Sequence, residues 1–92
     1  MVRLSSVETS FDIQGRGCYF TLLDWKSDVR IRQKDRIQLR TPDGNILNTQ
    51  IASVEPGTGT KGTFIAIGLP YPIAKQDIPA GMEIWLDQQE II

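Results

Sequence analysis

Val29-Arg30-Ile31-Arg32-Gln33-Lys34-Asp35-Arg36-Ile37-Gln38-Leu39-Arg40 is the stretch that decides the fold. Val29 and Ile31 alternate with Arg30 and Arg32, and Ile37 and Leu39 alternate with Arg36, Gln38 and Arg40. Successive side chains of a strand point to opposite faces, so this rhythm makes one face apolar and the other basic. Thr41-Pro42-Asp43-Gly44-Asn45 follows at once. Pro42 and Asp43 suit a type I turn with Gly44 or Asn45 at positive φ, which predicts a hairpin into a strand over Ile46 to Glu55. Upstream, Val7, Phe11 and Ile13 mark a first strand, and Cys18, Phe20 and Leu22 one face of a second, joined through Gly15-Arg16-Gly17. Downstream, Thr63 to Leu69 and Met82 to Leu86 read as two further strands. Ile73 to Ile78 reads as one helical turn that Pro79 ends.

Composition agrees with the rhythm. Twelve Ile, four Val and seven Thr stand against four Ala, and β-branched side chains favour a pleated chain over a helix. The eight Gly and five Pro fall mostly in clusters spaced by strand lengths, among them Pro56-Gly57-Thr58-Gly59-Thr60-Lys61-Gly62, read as a flexible connection. Ninety-two residues allow one domain. Short strands with polar outer faces cannot leave two long edges open without risking aggregation, so closure is expected. The predicted fold is all-β: a small closed antiparallel barrel of about six strands, filled by Ile, Leu, Val and Phe, a single domain over 1–92 with its core over about 7–87.

The side chains that most often do chemistry are scarce. With no histidine there is no imidazole to serve as base, pH switch or metal ligand. The lone Cys18 has no partner for an internal disulfide and reads as a small buried thiol in a strand. Asp24, Asp28, Asp43, Asp77 and Glu83 fall at strand ends or turns, where acids commonly bond the backbone. No enzyme, metal or cofactor is therefore expected. Gly57-Thr58-Gly59-Thr60-Lys61-Gly62-Thr63 holds the ingredients of a phosphate-binding loop with the lysine before the final glycine and no following helix, so no nucleotide is expected either. Neither a signal peptide nor a run of about 18 apolar residues is present, which predicts a soluble, cytoplasmic chain with no membrane role.

Phe11-Asp12-Ile13-Gln14-Gly15-Arg16-Gly17 resembles the opening of the second domain of translational GTPases, the elongation factor Tu family, with its Phe-x-Ile-x-Gly-x-Gly before a strand. Further along, Ile31-Arg32-Gln33-Lys34-Asp35-Arg36-Ile37 resembles that domain's apolar-Lys-x-Gly-Asp-x-apolar turn, with Lys34 at the glycine position. Gly62-Thr63-Phe64-Ile65-Ala66-Ile67 resembles its Gly-x-x-apolar-small-apolar strand, and Asp77-Ile78-Pro79-Ala80-Gly81 its late acidic-Ile-x-x-Gly motif. Leu22 departs from the pattern where a glycine is common. The resemblance spans about residues 8–87. It implies a Greek-key barrel acting as a binding platform that docks on a partner protein or contacts RNA and the ribosome. The GTPase part has no counterpart here.

Charge supplies the candidate site. From Lys26 to Arg40 six positive residues (Lys26, Arg30, Arg32, Lys34, Arg36, Arg40) face two negative ones (Asp28, Asp35), a local +4 in a chain of net −1, which leaves −5 on the remainder. An outwardly acidic domain with one basic face can hold phosphates there. The first expectation is a non-catalytic module binding RNA or a ribonucleoprotein through Arg30, Arg32, Lys34, Arg36 and Arg40. The second is a protein-interaction or self-association module, with Arg16, Trp25 and Tyr71 as partner contacts and no nucleic-acid role. Arginine on an outer strand face also serves solubility alone. Trp25 adjoins the basic stretch; both it and Trp85 are read as core or rim packing, with an exposed contact as the alternative. Tyr71, between two prolines, is read as a loop residue, a contact or a lid on the core.

Overall fold

A computed structural model describes residues 2–23, 31–60 and 62–87. The expectation of an all-β antiparallel fold is borne out. Among the described residues there are seven strands, β1 (Val2–Ile13), β2 (Gly17–Leu22), β3 (Arg36–Arg40), β4 (Ile46–Gln50), β5 (Ser53–Gly59), β6 (Gly62–Gly68) and β7 (Glu83–Leu86), and one 3-10 turn at Lys75–Asp77. They form one sheet in the order β4-β3-β7-β1-β2-β6-β5, every neighbouring pair antiparallel.

The first strand is the spine. Its N-terminal part pairs with β7, Val2 opposite Leu86 through Ser6 opposite Glu83, and its C-terminal part with β2, Val7 opposite Leu22 through Ile13 opposite Gly17. Register shifts between Arg3 and Ser5 and between Val7 and Thr9 bend it between these partners. The β1–β2 connection turns on Gly15 and Gly17, at φ 81° and 103°, with Arg16 N–H donating to the Ile13 carbonyl at 2.9 Å. Only glycine enters that region without steric cost. Asp12 accepts the Lys75 N–H at 2.9 Å, and the Ser10 hydroxyl donates to the Ile78 carbonyl at 2.8 Å, so the 3-10 turn is tied across β1.

Three expectations are corrected. Ile46 to Glu55 is two strands, because the hydrogen-bond partner changes at Ile51-Ala52. Gln50 pairs with Arg36 on one side, whereas the Ala52 N–H donates to the Gly68 carbonyl at 2.8 Å on the other. The strand count is thus seven, and the ladder is unclosed: β4 and β5 are the two ends of the sheet, consecutive in the chain but not paired with each other. Second, Pro56 to Gly59 is no loose loop; it continues β5 opposite Gly62 to Ile65, and the Phe64 ring lies over Gly57 where a Cβ would be. Third, among its described residues the basic stretch is a strand only from Arg36; Arg32 to Asp35 form a turn, described below. Val29 and Arg30 lie outside the described residues.

The alternation has its structural counterpart. Along β3, Ile37 and Leu39 are buried while Arg36, Gln38 and Arg40 are not. Leu4, Val7, Cys18, Phe20, Leu22, Ile37, Leu39, Ile51, Ile67, Leu69, Ile78, Met82, Ile84 and Leu86 form one contiguous core drawn from both parts of the sheet. Each fully buried Leu, Ile or Phe side chain contributes about 1.5–3 kcal/mol relative to an exposed one. No buried side-chain nitrogen or oxygen among the described residues lacks a partner.

Candidate functional site

The outer face of β4, β3 and β7 carries mostly polar side chains, together with Ile46 and Trp85, opposite the inward-pointing Ile and Leu. On β3 these are Arg36, Gln38 and Arg40; on β4, Ile46, Asn48 and Gln50; on β7, Glu83 and Trp85. Register sets the neighbours. Asn48, Gln38, Trp85 and Arg3 form one cross-strand row, Ile46, Arg40, Glu83 and Ser6 the next, and Gln50 lies opposite Arg36. Cross-strand partners stand about 5 Å apart, close enough for these side chains to interact.

They do interact. The Arg40 guanidinium lies over the Trp85 ring, 4.3 Å from its centroid, and its Nε donates to Gln38 Oε1 at 2.8 Å. Trp85 Nε1 donates to Glu83 Oε1 at 3.2 Å, and the other oxygen of that carboxylate accepts Arg3 Nε at 3.2 Å. Arg3 is thereby neutralised. At the far end of β3 an open groove of about 470 Å³ is lined by Arg36, Ile37, Asn48, Thr49, Gln50, Pro70 and Asp87. Arg36 and Asp87 are thus the charged groups on its wall.

The turn ahead of β3 sets the remaining cations. Asp35 N–H donates to the Arg32 carbonyl at 3.1 Å, and Asp35 Oδ2 accepts the Arg32 N–H at 2.8 Å, closing a four-residue turn whose third residue, Lys34, has φ 76°. A positive φ at that position is the mark of a type II turn, which glycine or asparagine normally fills. Lys34 N–H donates to the Ile51 carbonyl at 2.7 Å and Ile51 N–H to the Asp35 carbonyl at 2.9 Å, fastening the turn beside the β4–β5 junction. Arg32 and Lys34 are exposed there, in line with Arg36.

Of the anticipated site residues, Arg36 and Arg40 share one strand face, and Arg32 and Lys34 sit at its end. Arg30 and Trp25 lie outside the described residues. Arg16 belongs to the other part of the sheet: its guanidinium pairs with Glu55 of β5 and lies 5.3 Å from the Tyr19 ring centroid. The Glu55 hydrogen bond and charge raise its pKa above the ordinary arginine value. Tyr71 is 92% exposed, directly after the groove residue Pro70. The aromatic partner of the basic face is Trp85, which sits on the outer face rather than in the core. Alternation in Glu83-Ile84-Trp85-Leu86 carries the signal for that outward position, whereas its pairing with β3 is a matter of topology.

Elsewhere the chemistry is sparse. Cys18 is buried and free, and burial raises its thiol pKa, with the Asp12 and Asp77 charges adding to the effect. Among the described residues no three His, Cys, Asp or Glu side chains cluster as metal ligands, and no helix is long and apolar enough to cross a membrane. The Gly57 to Thr63 stretch leads into β6, where a phosphate-binding loop leads into a helix. Set against known proteins, the chain matches no family model, no curated protein and no solved structure.

Proposed function

We propose that this chain is a non-catalytic cytoplasmic module that binds RNA or a ribonucleoprotein through the outer face of β3 and the turn before it. The observation that carries this reading is the placement of Arg36 and Arg40 on one face of β3 beside Trp85, Gln38, Asn48 and Gln50, with Arg32 and Lys34 exposed in the turn before that strand. Arginines position phosphates, amides and aromatic rings address bases, and both kinds of group are needed for a nucleic-acid surface. The architecture we assign is a small Greek-key barrel of the elongation factor Tu second-domain type, its hydrogen-bonded ladder open between β4 and β5. Two features support it: β4 and β5 run on through only Ile51 and Ala52 from one end of the sheet to the other, and Lys34 has glycine's backbone conformation where the resembling motif has glycine.

Salt-dependent binding tests the reading. Affinity for RNA should fall with rising salt, the slope on logarithmic axes being about −0.7 for each phosphate contacted by a single strand. Reversing charge at Arg32 and Arg36 together should flatten that slope by about 1.4 and weaken binding to every RNA alike. Retention of the double variant on RNA at the wild-type level would refute it. The competing reading, a protein-docking module, draws on Tyr71 at 92% exposure and on Leu23 and Ile46 at 53% and 54%. It expects a nuclease-resistant complex or a dimer in sedimentation, weakened by Tyr71→Ser.

A further inference from the structure

The Arg40 guanidinium lies over the Trp85 ring on the outer face of the sheet. The guanidinium sits 4.3 Å from the indole centroid, and each plane is held by its own hydrogen bond, Arg40 Nε to Gln38 Oε1 at 2.8 Å and Trp85 Nε1 to Glu83 Oε1 at 3.2 Å. Arg40 and Trp85 are both only half-buried, so the stack reaches the solvent side of the sheet. Resting on the RNA-binding reading above, we propose that this stack is a platform for one unpaired base of single-stranded RNA, with the neighbouring amides reading the edge of that base.

Three observations converge on that ligand. A guanidinium is planar, and nucleic-acid bases stack on guanidinium planes as they do on aromatic rings. Fixing both partners beforehand lowers the ordering cost at binding. Gln38 and Asn48 lie in the same cross-strand row as Trp85, and exposed Ile46 lies beside Arg40, so the platform has amide groups on one side and an apolar flank on the other. Arg36 stands four residues back along β3, about 13 Å away at strand rise, with Arg32 and Lys34 beyond it. One base over Arg40 thus leaves the adjoining phosphates within the reach of these cations. Glu83, opposite Arg40 across the strands, is engaged by Arg3 and Trp85 and directs its oxygens to them. Double-stranded RNA offers no such base, since its faces are stacked inside the helix and its deep groove admits no side chain.

Fluorescence anisotropy of the full chain with labelled RNAs of about ten nucleotides distinguishes the terms. The RNAs are an unpaired strand, the same strand with its bases removed, and a duplex of equal length. The unpaired strand should bind about fivefold or more tighter than its abasic counterpart at one salt concentration. Arg40→Lys, which keeps the charge and loses the plane, should erase that preference, each chain being scored by its own ratio of base-containing to abasic affinity; Trp85→Phe should halve it or more. Equal affinity of the wild-type chain for base-containing and abasic strands would overturn the platform while leaving phosphate binding intact. A preference that survives Arg40→Lys would overturn it too, as a purely structural pair changes stability and not that ratio. Failure of all three RNAs to bind would remove the RNA reading and the platform together.

Discussion

Lys34→Gly should make the protein more stable, although it deletes a side chain. Lys34 is exposed, and its backbone lies at φ 76°, where an L-residue brings Cβ too near the following carbonyl oxygen at a cost of about 1–2 kcal/mol. Glycine removes that crowding but brings extra unfolded-state freedom worth about 0.5–1 kcal/mol. The conformation cannot relax in the native chain, because Lys34 N–H to the Ile51 carbonyl and Asp35 N–H to the Arg32 carbonyl hold the turn on both sides. The difference leaves a net gain of about 0.5–1 kcal/mol, or about 2–8 °C in Tm for a domain of this size. Lys34→Ala is the control: it removes the same charge and keeps the Cβ, so its stability should stay within about 0.5 kcal/mol of wild type. Urea unfolding with a common m value measures both. RNA affinity should drop equally in the two variants, separating charge from backbone. A glycine variant no more stable than the alanine variant would refute the argument, and with it the type II geometry assigned to this turn.

Two further outcomes follow from the core. Gly68→Ala should destabilise by about 1–3 kcal/mol, since a Cβ there meets the Ser53 hydroxyl and comes within 2.8 Å of Tyr19 Cε2; a wild-type urea midpoint would contradict the packing of β2 against the β5–β6 pair. Cys18 should resist thiol reagents in the folded chain and react at the rate of unfolding. Its raised pKa leaves stability intact below the ordinary thiol value and lost as pH climbs through the folded value, because the unfolded thiol ionises first; Cys18→Ala should abolish that alkaline decline in unfolding measurements taken across pH.

Side-chain facing was readable from the sequence and strand partnership was not. Arg36 to Arg40 alternates without interruption, and its buried and outward residues fall where period two puts them. Gly44, at φ 94°, ends the Thr41–Asn45 connection as its turn chemistry predicts. The rhythm fails where the ladder is irregular. Leu4 and Ser5 are both buried because a register shift sits between Arg3 and Ser5, so the Val2–Ser6 portion of β1 shows no alternation and was not anticipated as strand. At Ile51 the alternation runs on while the hydrogen-bond partner switches from β3 to β6, a change that side-chain polarity does not record. The candidate site divides in the same way: its cations are adjacent in sequence, whereas Trp85 reaches Arg40 only because β7, forty-odd residues later, lies beside β3.

Because β1 occupies the middle of the sheet and is flanked by β7, the first of these seven strands waits for the seventh. Until Glu83 to Leu86 leave the translating machinery, residues Val2 to Ser6 lack their β7 partner, and β3 has only β4 among the described strands. The basic face is therefore complete only after β7 has been made. A chain truncated before Glu83 would carry a bare strand at its centre, an invitation to intermolecular pairing and to capture by quality-control proteases.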